Sequence, residues 1–168
     1  MKIYVRDMAE GDSNWNLEGS LDPAEYKIAE RYSGPVKVDV KTSRFGHNVD
    51  AKLEIAAEGK FVCDRCLKPF KREVKENVHL FFRIVEPGED VVFENEEDVI
   101  ILREDEKDFD LSPIVAEYLS LSLPIKILCH EDCKGLCPVC GADLNIESCS
   151  CDREIIDSRW EGLKKFIQ

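Results

Sequence analysis

The sequence lacks a long apolar run. Its longest uninterrupted aliphatic stretch is Val99–Leu102, far short of the ~20 residues that a membrane-crossing helix needs. It also lacks histidine in any number, with only His47, His79 and His130. No Ser/His/Asp arrangement, glycine-rich phosphate loop or distinctive catalytic carboxylate set accompanies them, so the residues point to no catalytic centre and no small-molecule substrate. Met1–Asp7 alternates and carries Lys2, Arg6 and Asp7, which is not the pattern of a signal peptide. There is no internal repeat of a whole supersecondary unit and no low-complexity segment outside one acidic stretch. Basic residues are in short supply: 23 Lys and Arg face 35 Asp and Glu, for a formal charge of −12.

That deficit is local. Between Glu86 and Asp110 the acidic residues outnumber Arg103 and Lys107 so heavily that the segment accounts for most of the net charge. The low isoelectric point therefore describes one stretch, and does not exclude an RNA-binding face elsewhere. Residues 60–79 have the opposite balance, with Lys60, Arg65, Lys68, Lys71, Arg72 and Lys75 against Asp64, Glu73 and Glu76. At 168 residues, 43% apolar and 35% charged, the chain has the makings of an ordered domain with a real core.

Hydrophobic periodicity sets the expected fold. Asp22-Pro23-Ala24-Glu25 reads as a helix start and Ser33-Gly34-Pro35 as its stop, giving a short helix over Pro23–Tyr32. The period then changes to two. Val36, Val38 and Val40 alternate with charged residues, and Val49, Ala51, Leu53, Ile55 and Ala57 alternate with Asp50, Lys52 and Glu54, with a hairpin turn over residues 44–48 between the runs. Glu58-Gly59 reads as a second turn. Phe70, Val74, Val78, Leu80, Phe82 and Ile84 continue on even positions. This predicts an antiparallel meander with one buried face. Val91–Phe93 and Val99–Leu102 are short strand candidates within the acidic stretch, at a sheet edge or in an excursion. Ser112-Pro113 opens a second helix, with Ile114, Val115, Tyr118, Leu119 and Leu121 on its apolar face and Pro124 at its end. A C-terminal helix is expected over Arg153–Ile167, with Trp160 and Phe166 as packing residues. The expected class is α+β: a meander with flanking helices over residues 1–128, including an acidic excursion at 86–110, then a cysteine-rich zinc-knuckle region and helix over 129–168 packed on the same domain.

Eight cysteines fall into four close pairs: Cys63/Cys66, Cys129/Cys133, Cys137/Cys140 and Cys149/Cys151. Two cysteines separated by two residues around a tight turn aim both sulfurs at one ion, and a second pair completes a tetrahedron. Gly141 suits such a turn because it tolerates positive φ. The spacing predicts two structural zinc sites rather than one site plus free thiols. Cys137/Cys140 with Cys149/Cys151 is the local solution, leaving Cys63/Cys66 with Cys129/Cys133 as a long-range clip between meander and tail. The alternative pairs Cys129 and Cys133 with Cys137 and Cys140. His130 is a substitute ligand in principle, but the cysteines match the pattern better. With every position filled by thiolate, neither ion keeps room for a catalytic water.

Other chemistries use the same residues. Thiolates hold iron–sulfur clusters as readily as zinc, so an iron–sulfur or redox protein stays open. A glutaredoxin-type reading of Cys137-Pro-Val-Cys140 needs a helix starting at the motif, and Gly-Ala-Asp-Leu-Asn follows instead. Eight thiolates outweigh two Zn²⁺ ions in charge, so any nucleic-acid grip must come from Lys and Arg. Lys60, Arg65, Lys68, Lys71 and Arg72, interleaved with Phe61, Leu67 and Phe70, are candidate RNA contacts. The bland alternative makes them a solvated strand face around a small core. Glu94–Asp98 and Glu104–Asp110 instead offer a docking site for a basic partner on the alternative reading.

Cys63-Asp-Arg-Cys-Leu-Lys-Pro-Phe70, the segment from Asp110-Leu-Ser to Leu-Pro124, and above all residues 128–145 with Cys149-Ser-Cys151 resemble the bacterial YceD family, the large-ribosomal-RNA accumulation proteins. Cys151-Asp-Arg and Asp157-Ser-Arg-Trp160 resemble its tail. The resemblance implies a cytoplasmic, non-enzymatic role in synthesis, processing or stability of 23S ribosomal RNA, with ribosomal RNA or a precursor of the large subunit as partner.

Overall fold

A computed structural model describes residues 1–4, 7–32, 34–86, 88 and 99–152. The expected C-terminal helix and the Val91–Phe93 strand lie outside these residues. The chain divides into two compact units, one of residues 1–61 and 70–125, the other of residues 62–69 and 126–168.

The first unit is built on strands. β1 (Lys2–Tyr4), β2 (Gly11–Gly19), β3 (Val36–Phe45), β4 (Asn48–Val62), β5 (Pro69–Val85), β6 (Val99–Arg103) and β7 (Asp108–Asp110) are followed by one helix, α1 (Ser112–Leu121). β2 to β6 form a five-stranded sheet in chain order, and β1 pairs with β7 separately. β2–β3 and β3–β4 are antiparallel, and Gly46-His47 turns between β3 and β4. β6 runs parallel to β5, Phe81 opposite Val99. Parallel neighbours need a crossover of about a dozen residues, and residues 86–98 supply that length. The sheet is therefore mixed, with β6 at its edge.

Alternation places the core where the period predicts. Val36, Val38, Val40, Val49, Ala51, Leu53 and Ile55 are all at most 1% exposed, and Val74, Val78, Leu80, Phe82 and Ile84 continue this buried face along β5. Val115, Ala116 and Leu119 of α1 are buried, and the buried Tyr32 donates its hydroxyl to the Leu119 carbonyl. Leu121, expected on that apolar face, is exposed.

Helices are fewer than expected: α1 is the one α-helix among the described residues. In place of a helix over Pro23–Tyr32 there is a turn followed by a 3-10 segment, Lys27–Glu30. Asp22 caps one turn as its chemistry predicts, its side chain accepting the Ala24 N–H and its carbonyl the Tyr26 N–H. Tyr26 then takes an extended backbone, and the helical ladder cannot propagate. The expected turn at Glu58-Gly59 is likewise absent, because β4 continues to Val62. Gly59 serves packing: a Cβ there would lie 2.5 Å from the Phe61 ring and 2.9 Å from Tyr32.

Candidate metal centres

The described residues of the second unit include the strand ends Val62 and Pro69 and one isolated bridge, between Leu136 and Asp143. Among its described residues, the buried side chains are those of Cys63, Cys66, Cys133 and Cys137. An assembly without an apolar core needs cross-linking by disulfide or metal, and none of the eight cysteines is in a disulfide.

The thiols fall into two groups: Cys63, Cys66, Cys129 and Cys133 in site 1, and Cys137, Cys140, Cys149 and Cys151 in site 2. In each group all four sulfurs lie within 4.8 Å of one another. Cys63 and Cys133 are 3.8 Å apart, Cys66 and Cys129 3.7 Å. A tetrahedron with Zn–S near ~2.3 Å has an edge of about 3.8 Å. The local pairing and the long-range clip are thus the arrangement seen, and two four-cysteine clusters able to hold metal ions are present. His130 is exposed, its Nδ1 3.1 Å from the Cys129 sulfur.

The two C-x2-C segments share one backbone design. The Leu67 N–H donates to the Cys63 carbonyl and the Cys63 N–H to the Lys68 carbonyl. Four residues into the other knuckle, the Gly141 N–H donates to the Cys137 carbonyl, and the Cys137 N–H to Ala142. Both put the residue after the second cysteine at positive φ: Leu67 at 58° and Gly141 at 76°.

Backbone amides aimed at sulfur set the acidities. Burial pushes the Cys63 thiol up, but hydrogen bonding from the Cys66, Cys129 and Arg65 backbone outweighs it and holds the thiol at about 6. The Cys140 and Val139 backbone does the same for Cys137, also at about 6. At the other extreme, burial and the neighbouring sulfurs push Cys129 up to about 12. Hydrogen bonding to Cys140, with burial, does so for Cys151. Each site thus holds one sulfur that ionises readily and one that resists, because backbone amides favour a thiolate while neighbouring sulfurs and burial oppose it.

Site 1 draws its halves from segments over sixty residues apart in the chain, joined by specific bonds. Asp64 exchanges bonds with Ile127: its N–H donates to the Ile127 carbonyl, and its carboxylate accepts the Ile127 N–H. The Arg65 guanidinium donates to the Cys133 carbonyl at 2.7 Å, and the Arg65 carbonyl accepts the Leu136 N–H. Gly135, at φ 75°, passes so close that a Cβ would meet the Arg65 carbonyl at 2.9 Å. Lys68 is 2.6 Å from Asp143; that ammonium, with the Asn145 amides, holds the Asp143 carboxyl at about 2. Sequence reading missed Asp64, Gly135, Asp143 and Asn145, since nothing in their local spacing marks them.

The five candidate RNA contacts divide between the units. Arg65 and Lys68 belong to the cysteine unit, engaged as described. In the sheet unit Lys60 is exposed on β4, Lys71 pairs with Glu58 at 2.7 Å with both side chains well exposed, and Arg72 lies over the Phe61 ring, 5.6 Å from its centroid. His79 faces solvent from β5, 2.7 Å from Asp50. Among the described residues no helix is long and apolar enough to cross a membrane.

Comparison with known proteins turns this geometry toward ribosomes. An uncharacterized protein of Mycobacterium tuberculosis is 29% identical over 131 residues, covering 71% of this chain and 61% of the relative. This match thus spans less than two thirds of the mycobacterial relative's length. The uncharacterized Bacillus subtilis protein YlbN is 28% identical over 82% of this chain and 77% of its own length. An Arabidopsis thaliana protein named large ribosomal RNA subunit accumulation protein YCED homolog 1, chloroplastic, is 37% identical over 57 residues, 34% of this chain and 18% of the relative. No solved structure matches. The family described as large ribosomal RNA subunit accumulation protein YceD matches residues 51–167, a span that takes in all eight cysteines, and the chain belongs to that family.

Proposed function

We propose that this chain is a non-enzymatic, zinc-binding accessory factor of large-subunit ribosome biogenesis, acting in the cytoplasm to support synthesis, processing or stability of 23S ribosomal RNA. The observation that carries this reading is the pair of four-cysteine clusters inside the span that matches the family. Four thiolates leave a zinc ion no open position, so the ions act as structural cross-links and not as Lewis acids for substrate. Zinc fits better than harder cations because every donor is a soft thiolate at tetrahedral spacing.

On this reading the RNA partner is ribosomal RNA or a precursor particle. Lys60, Arg65, Lys68, Lys71 and Arg72 are the proposed contacts. Lys60 and Lys71 are the strongest of them, since an exposed ion pair such as Lys71–Glu58 is worth little and yields readily to a phosphate.

Depleting the protein from cells and measuring 23S against 16S ribosomal RNA tests the role. A fall in the 23S to 16S ratio, restored by the wild-type chain, is expected; an unchanged ratio contradicts the proposal. Pull-downs with and without RNase distinguish direct RNA association from capture of a basic ribosomal protein. RNase should abolish an association made through RNA.

A further inference from the structure

Resting on the zinc reading above, we infer that the two metal sites are coupled, and that Asn145 and Asp143 carry the coupling. Both residues lie in residues 141–148, the loop that site 2 closes between Cys140 and Cys149. Both reach toward site 1. The Asn145 side-chain amide donates to the Cys133 sulfur at 3.5 Å, and its carbonyl oxygen accepts the Lys134 N–H at 2.7 Å. Asp143 Oδ2 lies 2.6 Å from the Lys68 ammonium, two residues beyond Cys66. Asp143 Oδ1 accepts the Asn145 backbone N–H at 2.9 Å and its side-chain N–H at 2.7 Å, locking the two residues together. Leu144 N–H adds a bond to the Gly135 carbonyl. One loop therefore reaches both segments that build site 1: it bonds Cys133 directly on one side, and Lys68, two residues past Cys66, on the other.

An N–H bond to a ligating thiolate spreads its charge and orients the sulfur. Outer partners of this kind typically change metal affinity by about 10- to 100-fold. A metal at site 2 fixes the ends of the loop and so lowers the ordering cost of placing Asn145 on Cys133. Zinc at site 2 must then tighten zinc at site 1. By thermodynamic linkage, zinc at site 1 must tighten site 2 by the same factor. Neither residue ligates a metal; they are positioning residues that act through Cys133 and Lys68.

Competition of the full chain against a chromophoric zinc chelator tests this. The variants are Asn145→Ala, which keeps all eight cysteines, Cys149→Ser with Cys151→Ser, which removes site 2, and Cys63→Ser with Cys66→Ser, which removes site 1. Wild type should release two zinc ions per chain. Removing site 2 should weaken site 1 by about ten-fold or more, and removing site 1 should weaken site 2 by an equal factor. Asn145→Ala should weaken site 1 while the chain still takes up two ions. Circular dichroism of the zinc-loaded Asn145→Ala chain, matching wild type, shows that the loss is not misfolding. Site 1 affinity unchanged in both Asn145→Ala and the site 2 variant, with two ions bound by wild type, overturns the coupling alone. A folded wild-type chain that binds no zinc overturns the zinc reading and the coupling together.

Discussion

Gly135 and Gly141 both hold a left-handed backbone, but for different reasons. A Cβ at Gly141 would meet nothing within 4 Å, whereas at Gly135 it would strike the Arg65 carbonyl. Gly141→Ala should therefore lose only the backbone preference, about 1–2 kcal/mol. Gly135→Ala should lose that and also part the two halves of site 1. Thermal melts of the zinc-loaded variants should rank Gly135→Ala clearly below Gly141→Ala; equal losses would contradict the close approach. Asp110 gives a pH dependence. Burial alone would raise its carboxyl, but the Ser112 hydroxyl and amide and the Met1 ammonium outweigh it and hold it at about 2, below the usual 3.8. A depressed carboxylate contributes stability that is fully present above the unfolded value and is lost as pH falls through the folded one. Unfolding of the sheet unit followed with chelator present throughout should show this loss between about pH 4 and 2, and Asp110→Asn should remove that part of the profile. The cysteines were legible at this scale because two ligands from one turn leave a fixed local spacing. Asn145 and Asp143 were not, because their partners lie elsewhere in the chain and nothing local requires them.

At the scale of elements, period-two alternation located β3, the first part of β4 and β5, since burial on one face dictates every second residue. It failed where short-range chemistry had two uses. Gly59 has a turn-former's composition, yet it lies within β4 because the Phe61 and Tyr32 rings occupy the space of its missing side chain. Gly59→Ala should displace the Phe61 ring and cost about 1–3 kcal/mol by overpacking, read as a lowered denaturation midpoint for the sheet unit. No change would show that the ring yields freely. Residues 23–32 have helix-start chemistry and Asp22 does cap one turn, but the extended backbone at Tyr26 stops the ladder there. The knuckles were legible as spacing, while their shared hydrogen-bond pattern was not: it depends on Leu67 accepting a positive φ that glycine usually fills.

The whole molecule joins two kinds of stability. The sheet unit buries aliphatic faces, whereas the described part of the second unit buries cysteines. In such sites metal-binding energy is folding energy, about 10–16 kcal/mol for structural zinc. Cys137→Ser should therefore destabilise the second unit strongly, and a melting curve unchanged from wild type would show that this cysteine holds no structural metal. Chelation should open the second unit to trypsin at Lys126 and Lys134 while the strands of the sheet stay protected; uniform digestion would contradict separate sources of stability. The account rests most heavily on the eight sulfurs holding two ions, and elemental analysis of the purified, untreated chain tests that most directly. Two zinc ions per chain in colourless protein are expected. A chain that is well folded with no bound metal, or one that carries iron and absorbs visible light, would contradict it.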